Sequence, residues 1–149
     1  WAHDSHIARG DHPDARYNYH GGESMGRYLS KMFGKDYRAF DLFTGSGQYS
    51  ATVSFSNHKV LPVDASDAPK GSFDEALHQI ATGAGTDVMF LNLQPAQRLK
   101  NNAWLKQPRP VRFVSYAASD FDFGALMSVP DQFDGLFFID KTNASKMLR

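Results

Sequence analysis

The sequence predicts an α/β fold in which helices alternate with short apolar strands. Three observations carry that expectation. Apolar residues recur at helical spacing over residues 24–33 and again over residues 72–80. Short apolar runs at residues 88–93 and 135–139 have the length of buried strands. Hydrophobic residues make up 42% of the chain against 21% charged, enough to build a core. Helices and apolar strands in alternation bury best as layers on a sheet. With 149 residues and no repeat, low-complexity tract or linker, one domain or part of one is expected.

In chain order, no initiator Met precedes Trp1, and Trp1-Ala2 reads as the tail of a buried strand whose beginning is missing. The chain is therefore expected to be the C-terminal part of a larger enzyme, cut just before a site. Residues 7–20 are polar, with Gly10 and Pro13, and read as a loop. Met25, Tyr28, Leu29, Met32 and Phe33 lie on one face of a helix that Ser24 caps and Gly34 ends. Residues 37–44 read as a strand, Gly45-Ser46-Gly47 as a turn, and residues 48–55 as a second strand completing a hairpin. A short apolar run comes next at residues 60–63. Ser72 then caps a second helix with stripe residues Phe73, Ala76, Leu77 and Ile80, and Glu75 completes a capping box. Gly83 and Gly85 end it. Residues 101–105 read as a helical turn and residues 111–116 as a strand. Gly-Leu-Phe-Phe-Ile at residues 135–139 is the clearest buried strand.

Composition removes several function classes. The net charge is zero and the pI is about 7.2, which argues against a nucleic-acid footprint. The absence of Cys excludes disulfides and thiolate chemistry. No apolar run approaches the ~20 residues of a membrane-spanning helix, so no membrane partner is expected. A cytoplasmic location fits these features. Twelve Phe, six Tyr and two Trp suit either a packed core or an apolar ligand cleft.

The chemistry centres on His3 and His6. Two imidazoles three residues apart can converge on one reacting centre, as proton carriers or metal ligands. If Trp1-Ala2 ends a parallel strand, the pair lies where open α/β sheets bind ligands. Asp4 can orient one ring. The competing reading is two surface or packed histidines without a role. A zinc site needs three or four ligands, and His12, His20, His58 and His78 lack metal spacing, so no metal and no cofactor is expected. The segment holding Gly21, Gly22, Ser24 and Met25 precedes a helix start and can bind a substrate oxygen, although spacing alone favours a plain helix-start turn. It lacks the spacing and Lys of a nucleotide fingerprint. Arg9 and Arg16 can clamp a carboxylate or steady an oxyanion, or can be solvated loop residues. Asp140 comes after a strong strand and is the best remaining acid, ahead of Asp120 and Asp122.

Read together, the pieces resemble the C-terminal part of the erythromycin esterase family. Those pieces are Trp1-Ala2-His3-Asp4-Ser5-His6, residues 24–29, residues 34–37, residues 71–73 and residues 132–142. They run in order along nearly the whole chain. Family members commonly carry Asn where this chain has Asp4. The resemblance implies a three-layer α/β/α fold with a mostly parallel sheet, incomplete at its N-terminus, with residues 1–149 as the C-terminal portion of a single domain. It implies ester hydrolysis, the best-known members opening the macrolactone of erythromycin-type antibiotics, by water that histidine and glutamate activate. The family's His pair corresponds to His3 and His6, and its other His and Glu lie in an N-terminal half absent from this chain. The implied partners are a small-molecule ester and that N-terminal half. A metal-dependent hydrolase using the same pair, and a non-catalytic module holding an apolar or sugar ligand, stay open beside it.

Overall fold

The computed structural model describes residues 2–18, 23–54, 56–95, 103–112, 117–118, 123 and 125–146. In chain order they form α1 (Asp4–Ile7), a 3-10 turn (Ala15–Tyr17), α2 (Met25–Phe33), a second 3-10 turn (Gly34–Asp36), β1 (Phe40–Ser54) and β2 (Asn57–Asp64). Next come α3 (Phe73–Ala84), β3 (Val88–Asn92), α4 (Ala103–Lys106), β4 (Arg109–Val111), β5 (Ala125–Met127), α5 (Val129–Gln132) and β6 (Gly135–Thr142). Two compact units result. The first holds Trp1–Leu42, Phe90–Arg109 and Leu126–Phe137, and the second holds Phe43–Met89, Pro110–Ala125 and Phe138–Arg149.

The larger sheet has the strand order β2-β1-β6-β3, and β4 pairs with β5. β1 and β2 are antiparallel, with Gln48 opposite Asp64 and Ala51 opposite Leu61. β6 advances in step with β1. The Asp134 N–H donates to the Ala39 carbonyl at 2.8 Å, and farther along Gly45 lies against Asp140 and Gly47 against Thr142. β3 runs the other way along β6, with Leu93 N–H on the Asp134 carbonyl and Asp140 N–H on the Asp87 carbonyl, each at 2.8 Å. The described sheet is thus mostly antiparallel with one parallel pair, where the resemblance implied a mostly parallel one. A two-residue link between β1 and β2 leaves no room for the crossover that parallel pairing requires.

The expected hairpin over residues 37–55 is also corrected. Gly45-Ser46-Gly47 lies inside β1, and the chain reverses only between Ser54 and Asn57. These glycines serve close approach. A Cβ on Gly45 would stand 2.7 Å from the Asp140 carbonyl, and one on Gly47 would stand 2.1 Å from the Thr142 carbonyl. Gly47 also holds φ +97°, which side chains rarely adopt.

Each unit has its own core. Leu93, Met127, Val129, Phe133 and Leu136 are buried in the first, and Phe43, Phe73, Leu77, Val111 and Phe138 in the second. Phe43 and Phe73 meet at 5.8 Å between ring centroids. α3 begins as expected, since Glu75 N–H donates to Ser72 Oγ at 3.1 Å, while the Glu75 carboxylate accepts from Gly71 N–H at 2.5 Å. Gly85, in the left-handed region, ends it. β3 departs from the fully buried strand that its apolar run predicted, because Val88 and Phe90 are half exposed. β6 alternates, with Leu136 and Phe138 buried and Phe137 exposed. The predicted strand at residues 111–116 shares only Val111 with β4, and residues 113–116 lie outside the described set. Among the described residues no helix is long and apolar enough to cross a membrane.

Candidate functional site

The His pair sits on α1, a single helical turn, rather than on an open loop. His3 occupies the N-cap position with extended backbone, and its carbonyl accepts from His6 N–H at 2.9 Å. The Asp4 carbonyl accepts from Ala8 N–H at 2.9 Å and closes the turn. Both rings are exposed, their centroids 6.2 Å apart and their planes tilted by 46°. Two imidazoles so placed can address one small group in solvent. Asp4 lies between them, its Oδ1 accepting from Ser5 N–H at 2.8 Å. Burial pushes the Asp4 carboxyl above its usual 3.8, against the opposing pull of that hydrogen bond and of the two histidines.

Residues 7–10, the last residue of the turn and the three after it, are gripped at every position. Tyr37 Oη donates to the Ile7 carbonyl at 2.6 Å, and Ser24 Oγ donates to the Ala8 carbonyl. Arg9 N–H donates to the Gln132 carbonyl at 3.2 Å, and Gly10 N–H donates to Gln132 Oε1 at 2.7 Å. Arg27 closes the set by donating to the Gly10 carbonyl. Gly26 makes the packing possible, because a Cβ there would stand 2.1 Å from the Ile7 carbonyl oxygen.

Asp134 is the polar hub of this region. Its Oδ2 pairs with the Arg9 guanidinium and accepts from Ala39 N–H at 2.9 Å. Its Oδ1 accepts from Gln94 Nε2 at 3.0 Å, with Arg38 Nη1 at 3.9 Å. The carboxylate is almost fully buried, so these donors offset a desolvation cost of several kcal/mol. Beside it lies a cleft of about 370 Å³ lined by Arg9, Asp11, Lys35, Arg38, Asp131 and Asp134 among others. Burial raises the Asp11 carboxyl above 3.8, opposed by Arg9 and Arg27.

The other sequence candidates are placed elsewhere or serve structure. Ser24 is buried, and its hydroxyl both caps α2, accepting from Arg27 N–H at 3.1 Å, and holds Ala8. Met25 opens α2 half exposed. Gly22, His20, Asp120, Asp122 and Trp1 lie outside the described residues. Arg16 is paired with its neighbour Asp14 at 2.6 Å, which holds the Asp14 carboxyl down at about 2. The His12 ring accepts from Asp14 N–H at 2.9 Å. His78 on α3 and Asp140 on β6 meet at 2.5 Å, exposed, in the second unit. Among the described residues no group of three or more His, Asp or Glu is arranged to hold a metal.

Sequence reasoning does not single out Gln132, Asp134, Tyr37 and Arg27. All four stand inside the motif pieces that carry the resemblance, but nothing in their local spacing says that they grip the segment after the His pair. A buried Gln-Phe-Asp stretch between a helical turn and a strand is the signal that carries two of them.

The comparisons with known proteins bear on the family and the fold. The model of the erythromycin esterase family matches residues 1–142. A Bacillus cereus protein of known crystal structure is 18% identical, with a TM-score of 0.77, and the match covers 100% of this chain and 34% of that one. A crystal structure described as a succinoglycan biosynthesis protein is 25% identical, with a TM-score of 0.72, over 96% of this chain and 32% of its own. The chain spans about a third of the length of both. No curated protein matches it.

Proposed function

The chain belongs to the erythromycin esterase family, and on that premise we propose that it supplies part of the site of a carboxylic ester hydrolase. In this reading His3 and His6 orient the attacking water or stabilise the tetrahedral oxyanion, and Arg9, Ser24, Met25 and Gly22 border the substrate. The general base is a histidine contributed by further polypeptide, with a glutamate beside it. The observation that carries the reading is the exposed pair on one turn, with residues 7–10 beyond it fixed by five hydrogen bonds.

The substrate proposed is a small ester, a macrolide being the first to try. The proposed partner is the remaining two thirds of a polypeptide of the length of the solved relatives. Exposed aromatics in the first unit support that partner. Phe90 lies 6.0 Å from Phe40 and 4.9 Å from Phe137 between centroids, and all three are about half exposed. Aromatic surface of this kind usually marks an interaction face. In such a longer protein we also place the three-layer fold and the further parallel strands of a mostly parallel sheet.

General-base assistance is worth ~10²–10⁴-fold in rate. In the complete protein, His3→Ala and His6→Ala should each lower kcat/KM for macrolide hydrolysis by at least ~100-fold. Mass spectrometry detecting water addition across a macrolide panel measures this. Wild-type turnover in both variants would remove the pair from the mechanism.

A further inference from the structure

We propose that Asp134, with Gln132, is a positioning residue for the His3/His6 turn, which rests on the reading of that turn as the reacting one. The two residues are exposed, with their ring centroids 6.2 Å apart. Their placement is inherited from the backbone of α1, which is only one turn long and gains little rigidity from its own hydrogen bonds. The turn is held at its last residue, Ile7, by Tyr37 and by the close approach of Gly26, and past it through residues 8–10.

In that segment Ser24 and Arg27 hold the carbonyls of Ala8 and Gly10, and the N–H groups of Arg9 and Gly10 and the Arg9 guanidinium are held by two residues of one short stretch. Gln132, fully buried, accepts from Gly10 N–H through its side chain and from Arg9 N–H through its carbonyl, and its Nε2 donates to Asn18 Oδ1 at 3.3 Å. Asp134 takes the Arg9 guanidinium. Arg9 is therefore held at both backbone and side chain, three residues past His6. Asp134 in turn is held by Ala39 N–H and Gln94 Nε2, donors from two other segments of the same unit. A connecting loop has no need of a buried ion pair, which is costly to desolvate. A turn whose rings must stay aimed has such a need, since a misplacement of ~1 Å can cost ~100-fold in rate.

The test uses the complete protein and three variants. Asp134→Asn keeps an acceptor for Ala39 and removes the charge that holds Arg9. Gln132→Met removes the acceptor for Gly10, and Gln132→Glu, neutral when protonated at this buried position, restores it. The readouts are the imidazole carbon–proton NMR signals of His3 and His6, and kcat and KM for p-nitrophenyl acetate. Asp134→Asn and Gln132→Met should shift or broaden both histidine signals and lower kcat by ~10- to 100-fold, with KM changed less than ~3-fold. Gln132→Glu should return the signals and kcat to near wild type. Unchanged histidine signals in folded Asp134→Asn and Gln132→Met would overturn the proposal, as would a rise in KM alone. If Asp134→Asn does not fold, the Gln132 pair decides. If the wild-type protein hydrolyses no ester, the hydrolase reading fails by itself, and the NMR signals still decide whether Asp134 and Gln132 position the turn.

Discussion

α2 and α3 are built from the same local instructions and end in opposite environments. Each starts on a serine whose hydroxyl accepts from the N–H three residues on, and each stops at a glycine with positive φ. Each carries an apolar stripe. On α3 the stripe is core at Phe73 and Leu77, joined by the buried Ala81, while Ile80 at its far end is 52% exposed. On α2 only Gly26 is buried, while Tyr28 is 63% and Met32 73% exposed. α2 is tied to its surroundings by polar bonds instead, through Ser24, Arg27 and the close contact at Gly26. Caps and periodicity decide that a helix forms and where it stops. They do not decide what, if anything, covers its apolar face.

Three experiments sharpen that contrast. Leu77→Ala should have the largest effect, costing ~2–5 kcal/mol for a fully buried leucine, while Met32→Ala should stay within ~0.5 kcal/mol, as surface changes do. Chemical denaturation of the 149-residue chain compares them. A comparable cost at Met32 would mean that the α2 face is covered in solution. Next come the two caps. Ser72→Ala should cost ~1 kcal/mol, the usual loss of an N-cap. Ser24→Ala should cost roughly 1 kcal/mol more, because the same hydroxyl also donates to the buried Ala8 carbonyl. Equal losses would show that the Ala8 bond contributes nothing.

The smallest effect is expected at Asp4, on the turn that α2 packs against. Its carboxyl is raised above 3.8 in the folded chain, chiefly by burial. A raised folded value stabilises the fold at pH below 3.8, and that contribution is lost as pH rises through the folded value. Asp4→Asn escapes this loss, so it should raise the melting temperature at pH 7 and converge with wild type near pH ~3. A constant difference across that range would mean that the carboxyl is not desolvated. Asp14, lowered to about 2 by Arg16, has the opposite sign, and Asp14→Asn should lose a little stability above pH ~4.

The outcome at each element depends on whether its cause is local. Ser24, Gly34, Ser72 and Gly85 are legible as helix ends because a cap is satisfied within four residues. The strand at residues 135–139 is legible because Leu136 and Phe138 are fully buried. Gly45-Ser46-Gly47 misleads because a glycine freed for a turn and a glycine cleared for a neighbouring strand look alike in sequence. β6, which supplies the reason, begins some ninety residues later. The mostly parallel sheet came from the resemblance and not from the strands themselves. At the site, the His pair can be seen as a pair, but the Gln132–Asp134 grip cannot, since its partners lie more than a hundred positions away.

The two glycines of β1 also govern sliding. Where β1 passes β6, Gly47 lies against the Thr142 backbone, and Gly45 lies against the Asp140 carbonyl and carboxylate and the Phe138 ring. A slip of two residues, which keeps the faces, would bring Phe43 to the place of Gly45 or Tyr49 to the place of Gly47 and drive a Cβ toward a carbonyl oxygen. The parallel pair therefore has a single alignment that sterics permit, set by the absence of two side chains. Register in most strands rests on which face is apolar. Here it is keyed as well by a notch.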